Sequence, residues 1–157
     1  MTHRLKILKE HNLTLKDIQE VIDTIRPLEG ALETIKWLQA VSRFIVVSDT
    51  FVEFADPLMK QLDYPTLFCH SLTVDKQNNI IDYNLRQKDP KKKVVQALQS
   101  LKYKVIAFGD SYNDITMLQE AEVGILFKPP QNVIADYPGF PVCMDYDELK
   151  TELTKYI

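Results

Sequence analysis

Three polar clusters in this chain have residue types and spacings suited to handling a phosphate group. One is Gly109-Asp110-Ser111-Tyr112-Asn113-Asp114, directly after the apolar run Val105-Ile106-Ala107-Phe108. The glycine permits a tight exit from a strand, and two carboxylates and an amide then share one short loop. Hard oxygen donors of this kind suit Mg2+, which takes one or two carboxylates and completes its shell with water and substrate phosphate. Two acids beside a dry strand are also costly without a cation. The same residues could instead form an Asx turn with Ser111 or Asn113 as a helix cap.

The second cluster, Ser48-Asp49-Thr50, follows Phe44-Ile45-Val46-Val47. A small hydroxyl at the end of a strand, followed by a turn with free backbone N–H groups, is a natural phosphate cradle. A capped turn leading into the next helix uses these residues equally well. The third is Lys88-Asp89-Pro90-Lys91-Lys92-Lys93. Such a run is by base rate a solvated face; the functional alternative needs one ammonium to turn inward and neutralise a phosphate. Lys91, just after Pro90 at a helix start, is well placed for that, and Lys88 is its rival.

The elements that must position these groups follow from periodicity. Residues 2–11 and 14–25 read as short amphipathic helices, the second opened by the capping signal Thr14-Leu15-Lys16-Asp17 and ended by Pro27. A third helix begins near Glu29. The run 44–47 reads as a strand buried on both faces, followed by a helix at 52–62 and a hairpin of 66–74 and 80–86 around Lys76-Gln77-Asn78-Asn79. Thereafter helices at 94–101, 113–121, 131–136 and from 146 alternate with strands at 105–108, 123–127 and 141–144, with Asp145 as the last N-cap. This alternation predicts an α/β chain with a doubly wound, mostly parallel sheet, whose strand ends are where ligands bind. The three leading helices look like a separate small helical layer.

Composition narrows the function classes. The chain has 157 residues, 45% hydrophobic and 26% charged, with only 12 Pro and Gly (8 and 4), which argues for a packed core and against disorder. Nineteen basic and 22 acidic side chains leave a net charge of −3, which gives no reason to expect nucleic acid or anionic membrane as partners. No apolar run approaches a membrane span, and the charged N-terminus lacks a signal-peptide core, so a cytoplasmic location is expected. Cys69 and Cys143 are too few for a disulfide framework and lack metal-ligand spacing.

Taken together, Ser-Asp-Thr after an apolar strand, a lysine opening a helix, and GDSYND resemble motifs of the haloacid dehalogenase superfamily phosphatases. The resemblance is closest to the branch of bifunctional phosphoserine phosphatase/homoserine phosphotransferases. It rests on RPLEGALETIKWL, VVSDTFVEFADPLMKQLDYPTLFCH, LRQKDPKKK, VIAFGDSYNDITML and GILFKPPQNVI, nearly the whole chain. It implies a Rossmann-like core with a helical cap, here residues 1–27 as partial cap and 28–157 as core, and phosphoryl transfer through an aspartyl-phosphate. By the resemblance, Ser48 and the backbone at Asp49 hold the phosphate and Lys91 balances its charge. Asp110 ligates Mg2+ with Asp114 in support, Asn113 binds substrate or orients the phosphate, and Arg4 meets the substrate from the cap. The implied substrate is a small phosphorylated amino acid. The metal is expected to neutralise charge and align the phosphoryl group rather than activate water.

One departure stands out. Members of this family begin with a strand ending in Asp-x-Asp or Asp-x-Glu, the nucleophile and the general acid/base, and no such segment stands ahead of the helical segments here. Asp49 is followed by Thr50 and Phe51, so it has no second acid two residues on. By alignment Met1 lies inside the cap, downstream of that motif, and the missing strand is central, between 44–47 and 105–108. The chain as written is therefore expected to be inactive, and marginally stable, self-associating or a piece of a longer product. A homodimer is compatible with exposed cap and sheet surfaces. The alternative is a non-catalytic fragment or pseudoenzyme that binds Mg2+, phosphate or a partner.

Overall fold

The computed structural model describes Ile7, Leu8 and residues 10–157. Arg4 and most of the helix expected at 2–11 lie outside the described residues. Two compact units emerge. One takes the described residues through Ile35 together with Phe44–Lys88, the other Lys36–Arg43 together with Asp89–Ile157.

In the first unit, helix α1 (Leu15–Ile22) opens with the predicted capping box. The Thr14 side chain accepts from the Asp17 N–H, and the Asp17 carboxylate takes the Thr14 N–H at 2.7 Å. Helix α2 (Ala31–Val41) contributes its first turn to this unit. Strand β1 (Ile45–Phe51) and helix α3 (Val52–Gln61) follow, then β2 (Thr66–Val74) and β3 (Ile80–Asn84). The sheet order is β1-β2-β3, with β1 parallel to β2 and β3 antiparallel to it. The hairpin turns where expected because Asp75 organises it: its carboxylate accepts the Gln77 and Asn79 N–H groups and the Asn79 amide, while Asn78 takes the left-handed conformation. Ile35, Ala55, Met59 and Leu62 form one buried cluster, and Leu15, Phe51 and Leu72 a second.

Two non-local bonds tie α1 to the hairpin turn and to α3. The Leu15 N–H donates to the Asn78 carbonyl at 2.8 Å, and the Gln19 amide donates to the Glu53 carbonyl at 2.8 Å. The Glu53 carboxylate in turn takes the Leu72 N–H at 2.9 Å, a strand donor beyond the end of the β1 ladder.

The second unit carries α4 (Pro90–Ser100), β4 (Ile106–Gly109), a 3₁₀ turn (Tyr112–Asp114), α5 (Ile115–Glu120), β5 (Val123–Phe127), α6 (Gln131–Asp136), β6 (Val142–Cys143) and α7 (Tyr146–Leu153). Strands β4, β5 and β6 run parallel in that order, as an αβ alternation with helical crossovers requires. Ile125 and Leu126 of β5 are fully buried, and Leu126 packs with Val95, Ile115, Leu118 and Val133. Gly124 is required by close packing: a Cβ there would lie 2.4 Å from the Leu118 carbonyl oxygen of α5. Asp145 caps α7 as predicted, its carboxylate accepting the Asp147 and Glu148 N–H groups at 3.0 and 2.8 Å.

Each unit thus carries its own three-stranded sheet, and β1 and β4 are terminal strands of these sheets among the described residues. Among those residues no helix is long and apolar enough to cross a membrane.

Candidate active site

The GDSYND loop leaves the carboxyl end of β4 and is organised around one buried side chain, Asp114. Its Oδ2 accepts three donors: the Asp110 N–H at 3.1 Å, the Ser111 N–H at 3.1 Å and the Ser111 hydroxyl at 3.0 Å. Ser111 and Asp114 form a capping box, so the cap reading of this sequence is realised, with Ser111 rather than Asn113 as the cap. Gly109 makes the arrangement sterically feasible, because a Cβ at that position would lie 2.5 Å from the Asp114 Cγ. The glycine is there for this close approach, a role that composition alone does not reveal.

The other carboxylate oxygen, Oδ1, accepts the Lys91 ammonium at 2.7 Å. Lys91 sits in the first turn of α4, whose N1 residue is Pro90. Both side chains are withdrawn from solvent, 12% exposed for Lys91 and 8% for Asp114. Burial by itself would raise the Asp114 carboxyl, but the hydrogen bond and charge of Lys91, with the Ser111 donors, outweigh it and hold the group below the usual carboxylate range. Lys88, in contrast, is exposed. The lysine run therefore splits: Lys92 pairs with Glu120 at 3.0 Å, Lys93 reaches Gln96, and Lys91 turns inward.

Asp110 and Asn113 occupy the exposed side of the same loop. The loop is also tied to α6 through Tyr112, whose hydroxyl donates to Asp136 and accepts from the Asn132 amide at 3.3 Å. The bond to Asp136 raises the Tyr112 phenol above its ordinary value. This tether was not visible in the sequence, since nothing marks Tyr112 as a partner of residues two dozen positions away.

Whether these groups suit a divalent cation is decided by the donors they leave available. Among the described residues no three His, Cys, Asp or Glu side chains gather into a cage. Mg2+ needs no cage, only one or two carboxylates with water and phosphate. Both Asp114 oxygens are committed to donors, whereas the Asp110 carboxylate is exposed and has no bond of that kind among the described residues. The loop thus fits a magnesium ligand at Asp110, with Asp114 as its scaffold.

Ser48 and Asp49 belong to the other compact unit, and here the structure corrects the expected secondary structure. The strand does not stop at Val47. Ser48, Asp49 and Thr50 lie within β1, which runs on to Phe51. Val47 pairs with Phe68 and Phe51 with His70, so two extra residues bulge from β1 at this cluster. The reason is tertiary: Phe51 is buried with Leu15 and Leu72, and burying it draws the polar triplet into the strand. The Ser48 hydroxyl accepts the Thr50 N–H at 3.3 Å, and Asp49 is exposed.

Comparison with known proteins agrees with this architecture. The family described as haloacid dehalogenase-like hydrolase matches residues 2–122. Phosphoserine phosphatase ThrH of Pseudomonas aeruginosa is 55% identical over 155 residues, covering 99% of this chain and 76% of that protein. Phosphoserine phosphatase of Pseudomonas syringae pv. tomato is 54% identical over 99% of this chain, which spans 65% of that protein, a little under two thirds. A solved structure described as a phospho-aspartyl intermediate analogue of phosphoserine phosphatase superposes with a TM-score of 0.72 at 25% identity, covering 92% of this chain and 71% of that one. With the buried lysine–aspartate pair, the glycine-led loop at a parallel strand end and these likenesses, the chain belongs to the haloacid dehalogenase-like hydrolases.

Proposed function

We propose that this chain is the greater part of a Mg2+-dependent phosphomonoester phosphatase that acts on phosphoserine and can pass the phosphoryl group to homoserine. The observation that carries it is the inward-turned Lys91, paired with Asp114 beneath a loop that leaves Asp110 and Asn113 exposed. In this reading Lys91 balances the charge of the phosphoryl group, Asn113 orients it, and Ser48 with the backbone at Asp49 holds its oxygens. Asp110 holds the cation, which supplies charge neutralisation and alignment. Arg4 meets the substrate from the cap. We assign residues 1–27 to a partial helical cap and 28–157 to the catalytic core of a cytoplasmic protein.

The chemistry itself is transfer to a carboxylate: the P–O ester bond breaks as an Asp oxygen bonds to phosphorus, and a second acid protonates the departing serine alkoxide. Water or the homoserine hydroxyl then takes the phosphoryl group from the aspartate. The Asp-x-Asp at Asp145-Tyr146-Asp147 follows β6, but its first carboxylate is spent as the N-cap of α7, accepting the Asp147 and Glu148 N–H groups, and we place the nucleophile outside these 157 residues.

The test is release of phosphate from phosphoserine with Mg2+, by this chain and by the same chain extended through any in-frame codons upstream of Met1. The 157 residues alone should show no turnover above background. An upstream strand ending Asp-x-Asp or Asp-x-Glu should restore it. Turnover by the 157 residues that vanishes in Asp49→Asn would move the nucleophile to Asp49 and refute this placement.

A further inference from the structure

Asp89 is absorbed by none of the roles above, yet its conformation is unusual. It stands at the N-cap position of α4, an ideal residue type for capping, but its side chain makes no cap hydrogen bond. Its backbone is left-handed, with φ 51° and ψ 58°, immediately before a proline. That conformation is uncommon outside glycine and disfavoured further by the following Pro90 ring. The side chain instead reaches the start of the next helix, where its Oδ1 accepts the Thr116 hydroxyl at 2.9 Å.

The contact has a geometric partner. Lys91 lies two residues after Asp89, and Asp114 two residues before Thr116. The starts of α4 and α5 are therefore joined by two adjacent rungs, Asp89–Thr116 and Lys91–Asp114. A flexible lysine can meet a carboxylate from many backbone placements, whereas the short Asp and Thr side chains fix the distance between the two helix starts. Backbone strain that persists where the surroundings hold it in place clusters at functional sites.

We propose that Asp89 is a positioning residue: its bond to Thr116 sets the start of α4 so that the Lys91 ammonium is held inward, on Asp114, ready to receive phosphate. The role in phosphate binding rests on the function proposed above; the rung itself does not.

The experiment separates the two. The 157-residue chain is labelled with acetic anhydride, and acetylation of each lysine is followed by peptide mass spectrometry, with exposed Lys88 as the internal reference. Thr116→Val removes the donor at nearly constant volume and should raise Lys91 labelling relative to Lys88 by about tenfold, the scale of one hydrogen bond. Thr116→Ser and Asp89→Asn, which keep a donor and an acceptor, should label as the parent does. Asp89→Gly relieves the left-handed backbone but removes the rung, and should label like Thr116→Val. Unchanged Lys91 protection in Thr116→Val, or parent-like protection in Asp89→Gly, would overturn the rung as the positioning device. Binding of inorganic phosphate with Mg2+, by calorimetry, is the second arm. Thr116→Val should weaken it several-fold and Thr116→Ser should restore it. Increased labelling with unchanged phosphate affinity would reduce the rung to packing. A parent chain that binds no phosphate would refute the proposed function, while the labelling arm still decides the rung.

Discussion

Removing either partner of the Lys91–Asp114 pair should destabilise the chain sharply, and removing both should cost less than the sum. At 2.7 Å, and with the effective dielectric of about 20 that suits such sites, the gross attraction is about 6 kcal/mol. Desolvating two ions that are 12% and 8% exposed offsets most of it, so the pair itself adds little net stability. The asymmetry lies in the single variants. Asp114→Ala strands a buried ammonium and takes the acceptor from the Asp110 and Ser111 N–H groups, a loss of about 3–5 kcal/mol. Lys91→Met leaves three donors on Oδ2 and one vacant oxygen, for a loss of about 2–3 kcal/mol. In the double variant the coupling should return about 1–3 kcal/mol. The assay is urea unfolding followed by circular dichroism across a pH series. Because the folded Asp114 carboxyl lies below its unfolded value, its contribution is present above about pH 4 and is lost as pH falls through the folded pKa. Lys91→Met should flatten that acid-side loss. Additive single variants, or an acid limb unchanged in Lys91→Met, would refute the buried-pair reasoning.

Two further outcomes follow from the same unit. Gly109→Ala places a methyl 2.5 Å from the Asp114 Cγ, and should lower the thermal midpoint through overpacking of about 1–3 kcal/mol while raising Lys91 labelling. Asp145→Ala removes the acceptor for two N–H groups of α7 and should cost about 1 kcal/mol in urea without changing that labelling.

Legibility from the sequence was greatest where the signal was local. The capping box at Thr14 and Asp17, the Asp145 cap, the Asp75–Asn79 turn and the apolar runs of β4 and β5 all depend on residues within a few positions of one another. Such elements can be read from periodicity and capping chemistry because their hydrogen bonds close on neighbours. The family was legible for a related reason: GDSYND and the lysine run are contiguous strings, and the matches to the family and its phosphoserine phosphatases bear them out. The extent of β1 was not legible. Ser48-Asp49-Thr50 carries every local mark of a turn, and only the burial of Phe51 against Leu15 and Leu72 extends the strand through it.

What the sequence determined by itself was therefore the inventory: which segments are helix or strand, which side chains are candidates for chemistry, and to which family they belong. Tertiary structure decided the assignments among equivalent candidates. Of the lysines in the run, Lys91 is the one that faces a buried carboxylate, because Pro90 starts α4 there and Asp114 lies across from it. Of the two acids in the loop, Asp114 is consumed as scaffold and Asp110 stays exposed, because Gly109 admits the Asp114 side chain against the backbone. Each choice turns on a distance between residues far apart in the chain, and such distances are set by packing, which local propensity does not encode.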